Sequence, residues 1–155
     1  MRALFVASSG GHLAHLLWLE PWWREHARAW VTFDTEDARA RLAGEVVYHA
    51  AHPTNRSVRN AWRNWNMARS VLDWEQPDVV VSSGAGVAVP FILAARLRGI
   101  STVFLEVIDR IDQPSLTARV VGPLVDELVL QWPEQRQALG RGTVVGPILG
   151  LGDEL

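Results

Sequence analysis

The tract Ser8-Ser9-Gly10-Gly11-His12 follows an apolar run, Ala3–Ala7, and opens a segment of helical character. Glycines at a strand-to-helix turn let the backbone come close to a ligand, and the free N–H groups of a helix start favour an anion. Phosphate or diphosphate is the expected guest. The spacing is neither the G-x-G-x-x-G of dinucleotide sites nor a P-loop, because no Lys-Ser/Thr pair follows. His12 stands at the head of the helix, where an imidazole acts either as a general base toward a sugar hydroxyl or as a cap and anion contact.

A second turn of the same kind, Ser82-Ser83-Gly84-Ala85-Gly86, follows the run Val79–Val81. In open α/β sheets ligands bind outside the carboxyl ends of strands, so two such turns are expected to converge on one crevice. Ser9, Gly10, Gly11, Ser83, Gly84, Ala85 and Gly86 are therefore the candidate phosphate contacts. Glu106 ends a further run, Thr102–Leu105, on the same expected edge. Its carboxylate either faces the crevice and shares proton transfer or pairs with Arg110. Asp109 and Asp112 are two loop aspartates without further oxygen ligands, and no metal site is expected from them.

Pro53-Thr54-Asn55-Arg56 leads into a segment, Ser57–Glu75, that carries Arg59 and Arg63 and no acidic residue before Asp73. Asn55 and Arg56 join the candidate substrate contacts, and the basic face suits a lipid-linked diphosphate or an anionic lipid surface. On a helical wheel Val58, Ala61, Trp62, Trp65, Ala68 and Leu72 fall together, which predicts that both tryptophans face the core. The segment Leu16–Trp23 is apolar around most of its circumference. Pro21 is expected to break it, with at least one of Trp18, Trp22 and Trp23 presented to a partner or to lipid.

The elements that must hold these residues recur regularly. Apolar, β-branched runs at Ala3–Ala7, Trp30–Phe33, Val46–His49, Val79–Ser82, Thr102–Leu105, Glu127–Leu130 and Thr143–Val145 have the look of buried parallel strands. Helical segments are expected at His12–His26, Thr35–Ala43, Ser57–Glu75, Gly86–Arg98, Ser115–Val121 and Pro133–Leu139. The alternation predicts an α/β fold, a Rossmann-like doubly wound parallel sheet in one domain spanning residues 1–155.

Composition narrows the function. The 155 residues contain no cysteine, which excludes disulfides, thiolate metal sites and cysteine nucleophiles and fits the cytoplasm. A net charge of -2 excludes a globally basic nucleic-acid binder, so no nucleic-acid partner is expected. No apolar stretch approaches the roughly 20 residues of a membrane span, and no signal peptide is expected. Eight tryptophans beside one tyrosine point to a polar–apolar boundary.

Taken together, Ser8–His12, Val31–Asp37, Pro53–Arg56, Ser83–Pro90, Pro114–Thr117 and Gln131–Glu134 resemble the Alg-fourteen/PssD-type glycosyltransferase subunits. The resemblance covers nearly the whole chain. It implies the N-terminal, acceptor-binding half of a GT-B glycosyltransferase, similar to that half of the peptidoglycan transferase MurG. A separate chain of C-terminal GT-B type would bind the donor, with no cofactor and a UDP-sugar as substrate. By that resemblance Gly10, Gly11 and His12 face the transfer centre, Ser83 to Gly86 hold phosphates and Glu106 lies at the cleft edge. The implied reaction moves N-acetylglucosamine or another hexose to a lipid-linked acceptor in bacterial polysaccharide biosynthesis, at the inner face of the plasma membrane. The alternative is a non-catalytic scaffold that recruits and activates the catalytic partner.

Overall fold

The computed structural model describes residues 1–54 and 57–149. Seven parallel strands form one sheet in the order β3-β2-β1-β4-β5-β6-β7: β1 (Arg2–Ala7), β2 (Ala27–Thr32), β3 (Val47–His49), β4 (Val79–Gly84), β5 (Ser101–Leu105), β6 (Glu127–Leu130) and β7 (Thr143–Val144). The chain winds outward from β1 to β3, then crosses back to lay β4 on the other side of β1. That reversal puts the topological switch point between β1 and β4, where two neighbouring crossovers leave in opposite directions and open a crevice at the carboxyl rim.

The central strands are apolar on both faces because both are covered. Phe5, Trp30 and Val81 pack against Leu13 and Leu16 of helix α1 (Gly11–Leu17) and Trp23 of α2 (Glu20–Trp23). Leu4, Val6, Val31 and Val80 face Ala68, Val71 and Leu72 of α4 (Val58–Glu75) and Phe91 of α5 (Ala88–Leu97). Phe104, Leu128 and Leu130 close a third cluster with Ile92 and with Ala118 and Val121 of α6 (Leu116–Val121). Helices α3 (Glu36–Arg41) and α7 (Pro133–Leu139) complete the set among the described residues.

The expected helix His12–His26 is two helices, with Pro21 in the first turn of the second, where its missing N–H costs nothing. The strand expected at Trp30 begins at Ala27, because its first residues pair with β1 although they are not fully buried.

The wheel for α4 needs correction. Its buried residues are Asn64, Ala68, Val71 and Leu72, whereas Val58 and Trp62 are 86% and 65% exposed. Two causes combine. Asn64 is drawn inward by the Ala51 backbone, accepting from its N–H at 2.8 Å and donating to its carbonyl at 2.9 Å. The helix, 18 residues or about 27 Å, also outruns the six residues and about 20 Å of β4. No residue before Asn64 in this helix is buried, and this overhanging end lies toward the carboxyl rim, because α4 starts where β3 ends.

A slip in register interrupts the β1–β4 ladder: Val6 pairs with Ser82, but Ala7 pairs with Gly84. Ser83 is the extra residue of a bulge, the device by which a strand end re-aims its side chains and carbonyls.

Candidate active site

The bulge ties the two glycine turns together. Ser83 Oγ donates to the His12 carbonyl at 2.6 Å, and the Ser83 carbonyl stands 2.8 Å from His12 Nδ1. A carbonyl can only accept, so Nδ1 carries the proton and the Nε2 of a neutral ring keeps its lone pair. One residue further back, Ser82 Oγ donates to the Val6 carbonyl at 2.6 Å and accepts from Gly84 N–H at 3.2 Å. Gly84 has φ +116°, and a Cβ there would lie 3.2 Å from His12 Cε1, so glycine is what lets the imidazole lie against the second turn. Ala85 holds a left-handed φ of 60° without being glycine, a local strain at the same rim.

The crevice between the turns has a volume of about 430 Å³ and is lined by Gly11, His12, His15 and Ala85 on one side and by the loop after β5 on the other. That loop contributes Val107, Ile108, Asp109 and Arg110, with Ser115 and Thr117 behind it. Ser9, Gly10, Gly84 and Gly86 stand around this lining rather than in it. Gly10 and Gly11 are exposed, whereas Gly86 meets Thr54, whose Cβ and Oγ1 would lie 3.0 Å from an added Cβ. Ser83 is fully buried and engaged in holding His12. Asn55 and Arg56 lie outside the described residues.

Glu106 is fully buried rather than turned to the crevice. Its carboxylate accepts from Val107 N–H at 2.9 Å, Ser115 N–H at 2.9 Å and Ser115 Oγ at 3.0 Å. Ser115 in turn caps α6 by accepting from Ala118 N–H. Burial pushes the carboxyl pKa above its ordinary value, opposed by these three donors and by the charge of Arg110. Its place is therefore that of an anchor joining the end of β5 to the start of α6.

Two groups of residues went unassigned in the sequence. Gln131 donates to the Glu106 carbonyl, Gln135 to the Val107 and Arg110 carbonyls, and the Trp132 indole to the Ile108 carbonyl, at 2.7 to 3.0 Å. The backbone of the loop is thus satisfied by a buried amide network from β6 and α7. The block Gln131–Glu134 signalled family membership, but only the fold shows that it faces a loop more than 20 residues earlier. His15 is the other. It lies one helical turn after His12 and reaches Ile108 from the opposite side.

Among the described residues no group of three or more His, Asp or Glu side chains is placed to hold a metal ion. None of their helices is long and apolar enough to cross a membrane.

Comparison with known proteins agrees with this fold. The mouse UDP-N-acetylglucosamine transferase subunit ALG14 is 25% identical over 181 residues, spanning 96% of this chain and 83% of its own. The UDP-N-acetylglucosamine–N-acetylmuramyl-(pentapeptide) pyrophosphoryl-undecaprenol N-acetylglucosamine transferase of Chlorobaculum tepidum is 35% identical over 78 residues, half of this chain and 21% of its own. The crystal structure of MurG from Acinetobacter baumannii superposes with a TM-score of 0.71 at 18% identity, over 86% of this chain and 43% of MurG, a likeness of fold. The chain thus spans less than half of that solved structure. The model of the family described as "Oligosaccharide biosynthesis protein Alg14 like" matches residues 25–148, and the chain belongs to that family.

Proposed function

We propose that the chain is the acceptor-binding subunit of a two-component glycosyltransferase, inactive alone, that moves a sugar from a UDP-sugar to a lipid-linked acceptor. N-acetylglucosamine is the first candidate sugar, since both named relatives are N-acetylglucosamine transferases, one a subunit and one acting on an undecaprenol-linked acceptor. A bacterial polysaccharide pathway is the context. The observation that carries the reading is the His12 ring, held across the two turns by Ser83, with no partner for Nε2 among the described residues of the crevice wall. A lone pair there can take the proton of an acceptor hydroxyl as it attacks the sugar's anomeric carbon, while the UDP oxygen departs. Among the described residues, the amides of Gly10 and Gly11 and the guanidinium of Arg110 are available for phosphate charge, in a transfer that needs no metal ion.

The other half of the cleft belongs to a separate donor-binding chain. Working at the inner face of the plasma membrane is supported by the overhanging end of α4, where Val58 and Trp62 are exposed beside Arg59 and Arg63. Leu116, 77% exposed, sits between the crevice residues Ser115 and Thr117. Apolar groups ringed by arginine suit an anionic lipid surface.

Reconstitution with the donor-binding chain tests the proposal. His12→Ala in the pair is expected to lower kcat on the order of 100-fold or more with little change in KM. A loss of threefold or less would leave this chain as a scaffold that recruits its partner. Full transfer by the isolated chain would contradict the split enzyme.

A further inference from the structure

His15 is buried at 5% exposure, yet both of its ring nitrogens are used. Nδ1 lies 2.7 Å from the Gly11 carbonyl, which can only accept, so Nδ1 carries the proton. Nε2 lies 3.1 Å from Ile108 N–H, which can only donate, so Nε2 carries a lone pair. The two partners fix one neutral tautomer, and the Trp18 ring closes against it edge-on at 4.8 Å. The bond to Ile108 spans 93 residues of sequence and joins the two walls of the crevice. The carbonyl of the same residue accepts from the Trp132 indole.

From this juxtaposition we infer that His15 is a positioning residue, which bolts the loop Val107–Arg110 to the first glycine turn and so sets the placement of Asp109 and Arg110 against the acceptor. The role rests on the proposed transferase reading for its kinetic consequence, but not for its structural one. Without the Nε2 acceptor a half-buried N–H is left unpaired and the loop swings toward water to satisfy it. Protonation does the same, because an imidazolium has two donors and none to offer Ile108. The titratable groups facing the ring are His12 from its own helix and Asp109 and Glu106 from the loop side. Burial, aided by His12, outweighs the bond to the Gly11 carbonyl and the carboxylates of Asp109 and Glu106 and holds the His15 pKa below its ordinary value of 6.5, so the clamp is closed above that value and opens only on acidification past it.

Two measurements on the full chain test this. Imidazole 15N NMR is expected to show His15 as the Nδ1–H tautomer, with a titration midpoint below 6.5. His15→Leu is expected to speed exchange of the Ile108 amide about tenfold or more, and His15→Gln, whose Oε1 still accepts, to restore protection. An Nε2–H tautomer, a midpoint at or above the ordinary value, or unchanged exchange in His15→Leu would overturn the clamp. In the reconstituted pair His15→Leu is expected to raise the acceptor KM about tenfold with kcat within about threefold, and His15→Gln to recover most of it. A fall in kcat at constant KM would overturn the positioning role. Should the pair show no transfer while the NMR signature stands, the transferase reading fails and the clamp survives. Should His15→Leu not fold, His15→Gln and the tautomer of the unmodified chain still decide.

Discussion

At the scale of single residues, the site separates groups that line the crevice from groups that hold them. His12 lines the crevice, whereas Ser83, Gly84 and Glu106 are buried behind its wall. Gly84→Ala combines a left-handed backbone with a Cβ pressed on the imidazole. It is expected to cost roughly 1 to 3 kcal/mol in urea denaturation and to lower transfer by displacing His12. Glu106→Ala leaves the buried Val107 N–H, the half-buried Ser115 N–H and the cap hydroxyl of Ser115 without their acceptor, a loss on the order of 3 kcal/mol by the same measurement. Its burial-raised pKa gives a further signature. The folded state holds the carboxyl proton more tightly than the unfolded chain, so this contribution to stability is complete below the ordinary value of 4.5 and is lost as pH rises through the folded one. Glu106→Gln is expected to flatten that slope. None of this was legible beforehand: sequence placed Glu106 on the right rim but could not tell an exposed carboxylate from one enclosed by a loop nine residues long.

At the scale of elements, periodicity located nearly every strand and helix, because strands buried on both faces leave long apolar runs and turn residues punctuate them. It failed on α4, where a wheel assumes that a helix is covered along its whole length. Asn64 reads as polar and hence outward, yet its amide replaces a missing ladder partner for Ala51. The error reverses an expectation of use: Trp62 is available to a surface. Trp62→Ala combined with Arg59→Ala and Arg63→Ala is expected to reduce sedimentation with phosphatidylglycerol vesicles several-fold while changing stability by about 0.5 kcal/mol or less, since the residues contribute little to the core. Unchanged binding would return that face to ordinary solvated surface. Trp22 is also partly exposed, at 40%, while Trp23 is buried with its indole donating to the Leu16 carbonyl.

At the scale of the molecule, the sheet order gathers the turns after β1 and β4 and the loop after β5 onto a single rim. With the donor-binding half proposed on another chain, this one is expected to bind a UDP-sugar only weakly. Calorimetry of the isolated chain is expected to give a Kd no tighter than about 1 mM, corresponding to about -4 kcal/mol. Micromolar binding would favour a free-standing nucleotide-sugar binder instead. The bulge at Ser83 carries a consequence for how the whole chain tolerates change. Adjacent strand residues point to opposite faces, and here one surplus residue lets consecutive serines grip two different parts of the neighbouring strand and its turn. Removing any one position between Val81 and Gly84 would restore a regular ladder and turn the imidazole's support to the wrong side. The count of residues in that stretch therefore constrains the crevice rim, as their identities also do.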